Sequence, residues 1–217
     1  CTANYVACRG FLTKNNRITG VRVQDMLTQE TFDIRSQLVI NAAGPWSNQI
    51  LEKLDGEVAP LPYDLALGMN AVLKQELIPT YAAGLPCQEP GPDKGRLMFI
   101  VPWRGTTMAG TFYRHHTDAV DAMQPTDADT VRLLSQLNSA MPSAQLTPDH
   151  VARIHAGLLP CKPGHSAESD PKLLRHYMLI DHAQRDSVDG LITALGVKYT
   201  TARDVADRTI SLAACKL

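Results

Sequence analysis

Leu38-Val39-Ile40-Asn41-Ala42-Ala43-Gly44-Pro45-Trp46-Ser47-Asn48-Gln49-Ile50-Leu51-Glu52-Lys53-Leu54 is the stretch on which the fold turns. A short apolar run breaks into a small-residue turn, and the turn gives way to helical spacing over 47–54. Strand, tight turn and helix in that order make a ligand-facing edge of an α/β sheet. A plain tight turn is the other reading of the same residues. Upstream, Asn4 to Cys8, Ile18 to Val23 and Thr31 to Ile34 are β-prone, and Lys14-Asn15-Asn16 is turn chemistry between the first two. The first forty residues therefore read as a β-meander feeding a buried strand.

Downstream the pattern changes. Leu65 to Leu73 and Leu97 to Gly110 are strand-like, with Gly105 at a hairpin turn, and Pro79 to Pro92 reads as an irregular loop because it is rich in Pro and Gly. Thr126 followed by Asp127 and Asp129 marks a helix entry; Val131, Leu133, Leu134 and Leu137 supply its apolar stripe, and Pro142 ends it. Strand-like runs return at Val151 to Leu158, Tyr177 to Ile180 and Leu191 to Leu195. A last helix follows Thr200-Thr201 and carries Val205, Ile210 and Leu212. The expected class is α+β, an antiparallel or mixed sheet with helices, joined to the edge of an α/β domain. Three segments are expected: 1–60, 61–185 and 186–217.

Composition narrows the function classes. The 217 residues are 44% hydrophobic and 20% charged, with a formal net charge of -1, so a core can form and nothing invites nucleic acid. The run Leu97 to Val101 stops at Pro102, well short of the roughly 18 to 20 apolar residues that span a bilayer. Five scattered cysteines without C-x-x-C spacing indicate neither a disulfide framework nor a zinc site. Adjacent His115-His116 would point apart in a strand, so no metal is expected there. A cytoplasmic setting follows by default. The chain opens at Cys1 in strand-like sequence, with no leader pattern, which is the expectation for a piece of a longer protein.

Four landmarks fall in a recognisable order: Asn41 to Trp46; Phe99-Ile100-Val101-Pro102-Trp103 leading to Gly110-Thr111; Ala156-Gly157-Leu158-Leu159-Pro160; and Gly196-Val197-Lys198-Tyr199-Thr200-Thr201-Ala202-Arg203. In this order the chain resembles the flavin-dependent glycerol-3-phosphate dehydrogenases of the D-amino-acid-oxidase-like group. The resemblance implies FAD as cofactor, bordered by Ala42, Ala43, Gly44 and Trp46 and by Gly196, Val197, Lys198, Tyr199, Thr200 and Thr201. It implies a small-molecule substrate, an anionic one being compatible, and a quinone or oxygen as electron acceptor. Peripheral association with the inner membrane face is compatible with it too. No Gly-x-Gly occurs anywhere in the sequence, so the strand, G-x-G-x-x-G turn and helix that hold the FAD pyrophosphate in such enzymes are absent from it. The α/β edge is thus expected to be part of an incomplete FAD-binding domain, with FAD held weakly or not at all by this chain.

By the same resemblance Lys198 lies near the flavin or substrate, where the alternative is a threonine cap and a solvated lysine. Arg175 matches an arginine that grips a substrate phosphate, with a solvated strand-end arginine as its plainer reading. Three positions depart from the pattern. Leu159 stands where the family has arginine, Asn70 where it has histidine, and Tyr113 where it has aspartate. Period two places Arg153 and His155 on one face of their strand, making His155 a candidate base beside the reading of a backbone-bonded histidine. Two functions stay open: part of an oxidoreductase that moves hydride from a CH-OH or CH-NH carbon to flavin, or a non-catalytic relative that keeps the fold for binding or assembly.

Overall fold

The computed structural model describes residues 2–54, 58–88, 95–164 and 170–217. They divide into two compact units, Cys1–Pro62 with Leu174–Leu217, and Tyr63–Leu173. The stretch 174–185, expected with the middle segment, groups with the first unit.

In the first unit β1 (Val6–Lys14), β2 (Arg17–Asp25) and β3 (Thr31–Arg35) form the antiparallel meander. Asn15 and Asn16 both hold positive φ, 51° and 56°, the geometry of a two-residue hairpin turn that matches strand twist and that asparagine tolerates. Then β4 (Val39–Asn41) runs into a 3₁₀ turn (Gly44–Trp46) and α1 (Ser47–Leu51), and the helix tightens to 3₁₀ over Glu52–Leu54.

The second unit is a five-stranded antiparallel sheet with one long helix. Its strands are β5 (Asp64–Leu73), β6 (Ala83–Pro86), β7 (Leu97–Trp103), β8 (Thr106–His116) and β9 (Val151–Cys161), in spatial order β6-β7-β8-β5-β9. The expected loop over Pro79 to Pro92 therefore contains an edge strand, β6, which pairs with β7; residues 89–92 lie outside the described residues. Proline ends that strand at 86, where an edge tolerates it. At the β7–β8 turn Arg104 and Gly105 take φ of 54° and 75°, the hairpin expected at Gly105. Helix α2 (Asp127–Ala140) opens on a capping box: the Thr126 hydroxyl accepts from the Asp129 N–H, and the Asp129 carboxylate accepts from the Thr126 N–H at 2.9 Å. Arg114 donates to the same carboxylate at 2.8 Å. Burial pushes the Asp129 carboxyl up, but the Thr126 bonds and Arg114 together hold it below its usual range. Leu133, Leu134 and Leu137 of α2 pack on Leu67, Met69, Ala71 and Leu73 of β5 and on Phe112 of β8. Val131, expected in that stripe, is exposed; the buried face is centred two residues further on.

The chain then returns to the first unit with β10 (Met178–Asp181), the single-turn α3 (His182–Arg185), β11 (Leu191–Leu195) and α4 (Ala202–Ala214). β11 pairs antiparallel with β10 and parallel with β4, an arrangement that puts the C-terminal ends of β4 and β11 side by side. Gly190, at φ 77°, lets the β2 backbone come close to the start of β11; a Cβ there would stand 2.5 Å from the Ile18 carbonyl oxygen. Ile210 of α4 is exposed, and the buried stripe runs through Val205, Thr209 and Ala213. Among the described residues no helix is long and apolar enough to cross a membrane.

A buried polar chain joins α3 to β11. His182 Nδ1 lies 2.6 Å from the Asp186 carboxylate and Nε2 lies 2.8 Å from the Thr193 hydroxyl, with His182 and Thr193 fully buried. Burial pushes the imidazole below its ordinary value of 6.5, and the opposing pull of Asp186 does not restore it. The unfolded chain therefore takes up the proton first as pH falls through 6.5. Stability is whole above that value and declines between it and the lower folded-state value, by at most about 1.4 kcal/mol per pH unit. Urea midpoints should fall between about pH 7 and about pH 5, and the fall should be shallower in His182→Gln. Identical slopes for the two proteins would contradict the assignment.

Candidate functional site

Each unit carries a concave site. In the first, a groove of about 550 Å³ lies between the ends of β4 and β11 and the face of α4 from Ala202 to Ile210. Ala42 from the first turn and Gly196, Val197, Lys198 and Tyr199 from the last line it together, with Ile40, Ala194, Ala202 and Val205 as apolar walls. The two turns, far apart in sequence, thus border one space. Ala43, Gly44, Trp46, Thr200 and Thr201 are not among the lining residues. The first turn is shaped by Asn41, a buried side chain whose amide donates to the Ser47 carbonyl at 3.0 Å and whose oxygen accepts from the Ala43 N–H at 3.2 Å. Asn41 stood at the head of the first landmark but was given no role of its own, although a polar residue closing an apolar strand was the available signal. At the other turn a 3₁₀ segment (Tyr199–Thr201) precedes α4, and the Thr201 hydroxyl donates to the Lys198 carbonyl instead of capping the helix. Lys198 and Tyr199 are exposed, as is Arg175.

In the second unit a pocket of about 440 Å³ opens on the sheet face turned away from α2. Strand register builds it. Asn70 of β5 lies opposite Gly110 of β8 on one side and His155 of β9 on the other. Ile154, Ala156 and Leu158 pack toward the core, so His155 and Leu159 face the pocket with Asn70, Thr111 and Tyr113. β8 carries one residue more than β5 at this point, since Met69 pairs with Phe112 and Asn70 with Gly110; the bulge leaves Thr111 unpaired and aims it at the pocket. Two glycines permit close approach. A Cβ on Gly68 would meet Leu159 Cδ1 at 2.7 Å and Tyr113 at 3.2 Å, and one on Gly110 would meet Asn70 Oδ1 at 2.4 Å. Trp103 stands edge-on to the His155 ring at a centroid distance of 6.0 Å. Thr111 and Trp103 stand in the second landmark but were not assigned to a site, because a bulge and a reach across strands are set by the pairing of two strands. Asn70, His155, Tyr113 and Leu159 are gathered in this pocket, whereas Lys198, Arg175 and the turn residues belong to the first unit.

Neither site offers a metal or a reactive thiol. Among the described residues no group of three or more His, Cys, Asp or Glu side chains could hold a metal ion. Burial, with Asp64 adding to it, pushes the Cys161 thiol up to about 11, away from thiolate chemistry.

Residues 3–203 match the family model described as FAD dependent oxidoreductase. The chain belongs to this family. It is 32% identical over 216 residues to a glycerol-3-phosphate dehydrogenase of Synechocystis, covering 95% of this chain and 38% of that protein. It is 29% identical to the mitochondrial glycerol-3-phosphate dehydrogenase of Mus musculus, covering 98% of this chain and 29% of the relative. The glycerol-3-phosphate dehydrogenase of Bacillus halodurans, solved with FAD, superposes with a TM-score of 0.77 at 28% identity over 97% of this chain and 38% of that one. Glycine oxidase of Bacillus cereus shares the fold, with a TM-score of 0.54 at 16% identity. The chain thus spans 29% to 38% of the length of these glycerol-3-phosphate dehydrogenases.

For a family defined by FAD, the first-unit groove fits part of the cofactor. Its volume is of ligand scale and its walls are apolar, suited to a flat ring system. No residue pattern in the chain suits the pyrophosphate.

Proposed function

We propose that the chain forms the flavin-ring border and the substrate face of an FAD-dependent oxidoreductase acting on a small hydroxy or amino compound. The observation that carries this reading is the convergence of Ala42 and Gly196 to Tyr199 on one groove. Bound FAD would supply two-electron acceptance from a carbon bearing a hydroxyl or amine, with a quinone or oxygen as the final acceptor. The residues of this chain orient and exclude water. Small side chains at Ala42, Ala194 and Ala202 leave room for a planar ring, and Lys198 at the rim adds positive charge beside it. Arg175, exposed on the first unit and of guanidinium geometry, is assigned to an anionic group of a ligand of that unit. In the second unit, Asn70, His155 and Leu159 line the pocket we assign to substrate. Peripheral contact with a membrane belongs to the same proposal.

The test is anaerobic bleaching of flavin, in the protein that joins this chain to a dinucleotide-binding segment, by a panel of hydroxy acids, amino acids and polyol phosphates. Saturable bleaching by one class supports the proposal; flavin bound but left oxidised by every class refutes it. The 217-residue chain by itself should purify colourless, because groove contacts reach only the ring while the phosphates go unheld. A stoichiometric yellow preparation with a flavin absorbance spectrum would overturn that expectation.

A further inference from the structure

We infer that the pocket on the β5–β8–β9 face receives an unphosphorylated hydroxy compound, with His155 as the group that takes its hydroxyl proton. This rests on the oxidoreductase reading above and names the substrate class for it.

The charge of the pocket is the first ground. Its lining offers an amide from Asn70, hydroxyls from Thr111 and Tyr113, the imidazole of His155 and the apolar side chain of Leu159, and no lysine or arginine. A phosphate moved from water into such a site exchanges hydration for neutral partners and carries its charge uncompensated. The nearby cations are engaged elsewhere or lie outside the lining. Arg96, over the Tyr113 ring at 5.8 Å, pairs with Asp170 and donates to Gln136 at 2.6 Å. Arg104 stacks on Trp103 at 5.1 Å. Arg153 shares the His155 face one pleat away and is exposed. A hydroxyl-bearing carbon skeleton meets the pocket on better terms: its carbons lie against Leu159 and its oxygens find donors and acceptors.

Register supplies the second ground. Asn70 and His155 are direct cross-strand partners, side chains that in such pairs stand about 5 Å apart at Cβ and can address one small molecule together. The amide can orient a hydroxyl but cannot take its proton, whereas imidazole exchanges protons readily near neutrality. Trp103 edge-on to the ring limits its rotation. The step is a single proton transfer: the substrate O–H bond breaks, the proton passes to an imidazole nitrogen, and the oxygen keeps the electron pair as alkoxide beside imidazolium.

Two measurements test the proposal. In the first, the 217-residue chain labelled with ¹³C-histidine is titrated with glycerol, glycerol-3-phosphate and inorganic phosphate, and the His155 resonance, identified by its loss in His155→Asn, is followed. The expected result is a glycerol-dependent shift at concentrations at least about tenfold below any produced by the two phosphates, a difference of about 1.4 kcal/mol. Equal or tighter binding of glycerol-3-phosphate overturns the substrate class. No flavin is needed, so the outcome is independent of whether the flavin reading holds. In the second, the FAD-loaded protein that joins this chain to a dinucleotide-binding segment is assayed with its preferred alcohol across pH. His155→Asn should lower kcat by about a hundredfold or more and remove the acidic limb of the profile; the exchange Asn70→His with His155→Asn, which returns an imidazole to the partner strand, should recover part of both. An unchanged rate and profile in His155→Asn overturns the role of His155.

Discussion

Phe112→Ala will lower the unfolding free energy of the second unit by about 3 to 5 kcal/mol, the range for emptying a buried aromatic site. Phe112 is among the largest fully buried side chains, 1% exposed, and belongs to the cluster that includes Met69 and Ala71 of β5 and Leu133 and Leu137 of α2. Both main partners are regular elements fixed by their own hydrogen bonds, so they cannot collapse into the vacated volume, and the cavity persists. The Arg132 guanidinium, 5.4 Å above the ring, loses its aromatic partner as well. Urea unfolding followed by Trp103 fluorescence in a Trp46→Phe background measures the change in the unit that holds both residues. A loss below about 1 kcal/mol would mean that the site refills, contrary to a core organised around this ring. Domains of this size have total stabilities of only about 5 to 15 kcal/mol, so the variant should also show raised hydrogen exchange along β5 and β8.

Local chemistry made several of these elements legible. Asn15-Asn16, the Thr126 and Asp129 capping pair, Gly105 at a hairpin and the apolar run ending at Asn41 each encode their geometry within a few residues, and all four are found. Elements defined by partners were not legible. Ala83-Gly84-Leu85-Pro86 has almost no β propensity and becomes a strand because β7 offers it an edge. Apolar residues at Val131 and Ile210 fit a helical stripe by spacing, yet the buried faces are set by what α2 and α4 pack against. The pocket shows the same division. Its residue types stood out in the sequence, but their convergence depends on the pairings Asn70 with Gly110 and Asn70 with His155 and on the bulge at Thr111. Register is a property of two strands at once, and a slip of one residue would turn His155 into the core.

Leu159→Arg should raise kcat/KM on glycerol-3-phosphate by about tenfold to more than a hundredfold in the FAD-loaded protein, since a hydrogen bond to a charged group contributes about 1.5 to 3 kcal/mol. Position 159 suits the change. Its side chain lies over Gly68, where the missing Cβ leaves a track beside Tyr113, and the stem of an arginine can follow that track and deliver its fork into the pocket. The phosphate then meets a planar pair of donors instead of a methyl group. Activity on the unphosphorylated alcohol should fall in the same variant, because a guanidinium with no anion to pair must be desolvated and the apolar contact is lost. Specificity is a difference between two affinities, so the ratio of the two substrates should move further than either rate alone. Leu159→Met, which keeps volume and polarity, serves as the control and should leave the ratio within about twofold. A native protein that already turns over glycerol-3-phosphate rapidly and saturably, with Leu159→Arg adding nothing, would show that the phosphate is bound away from this pocket, with Arg175 as the remaining candidate to hold it.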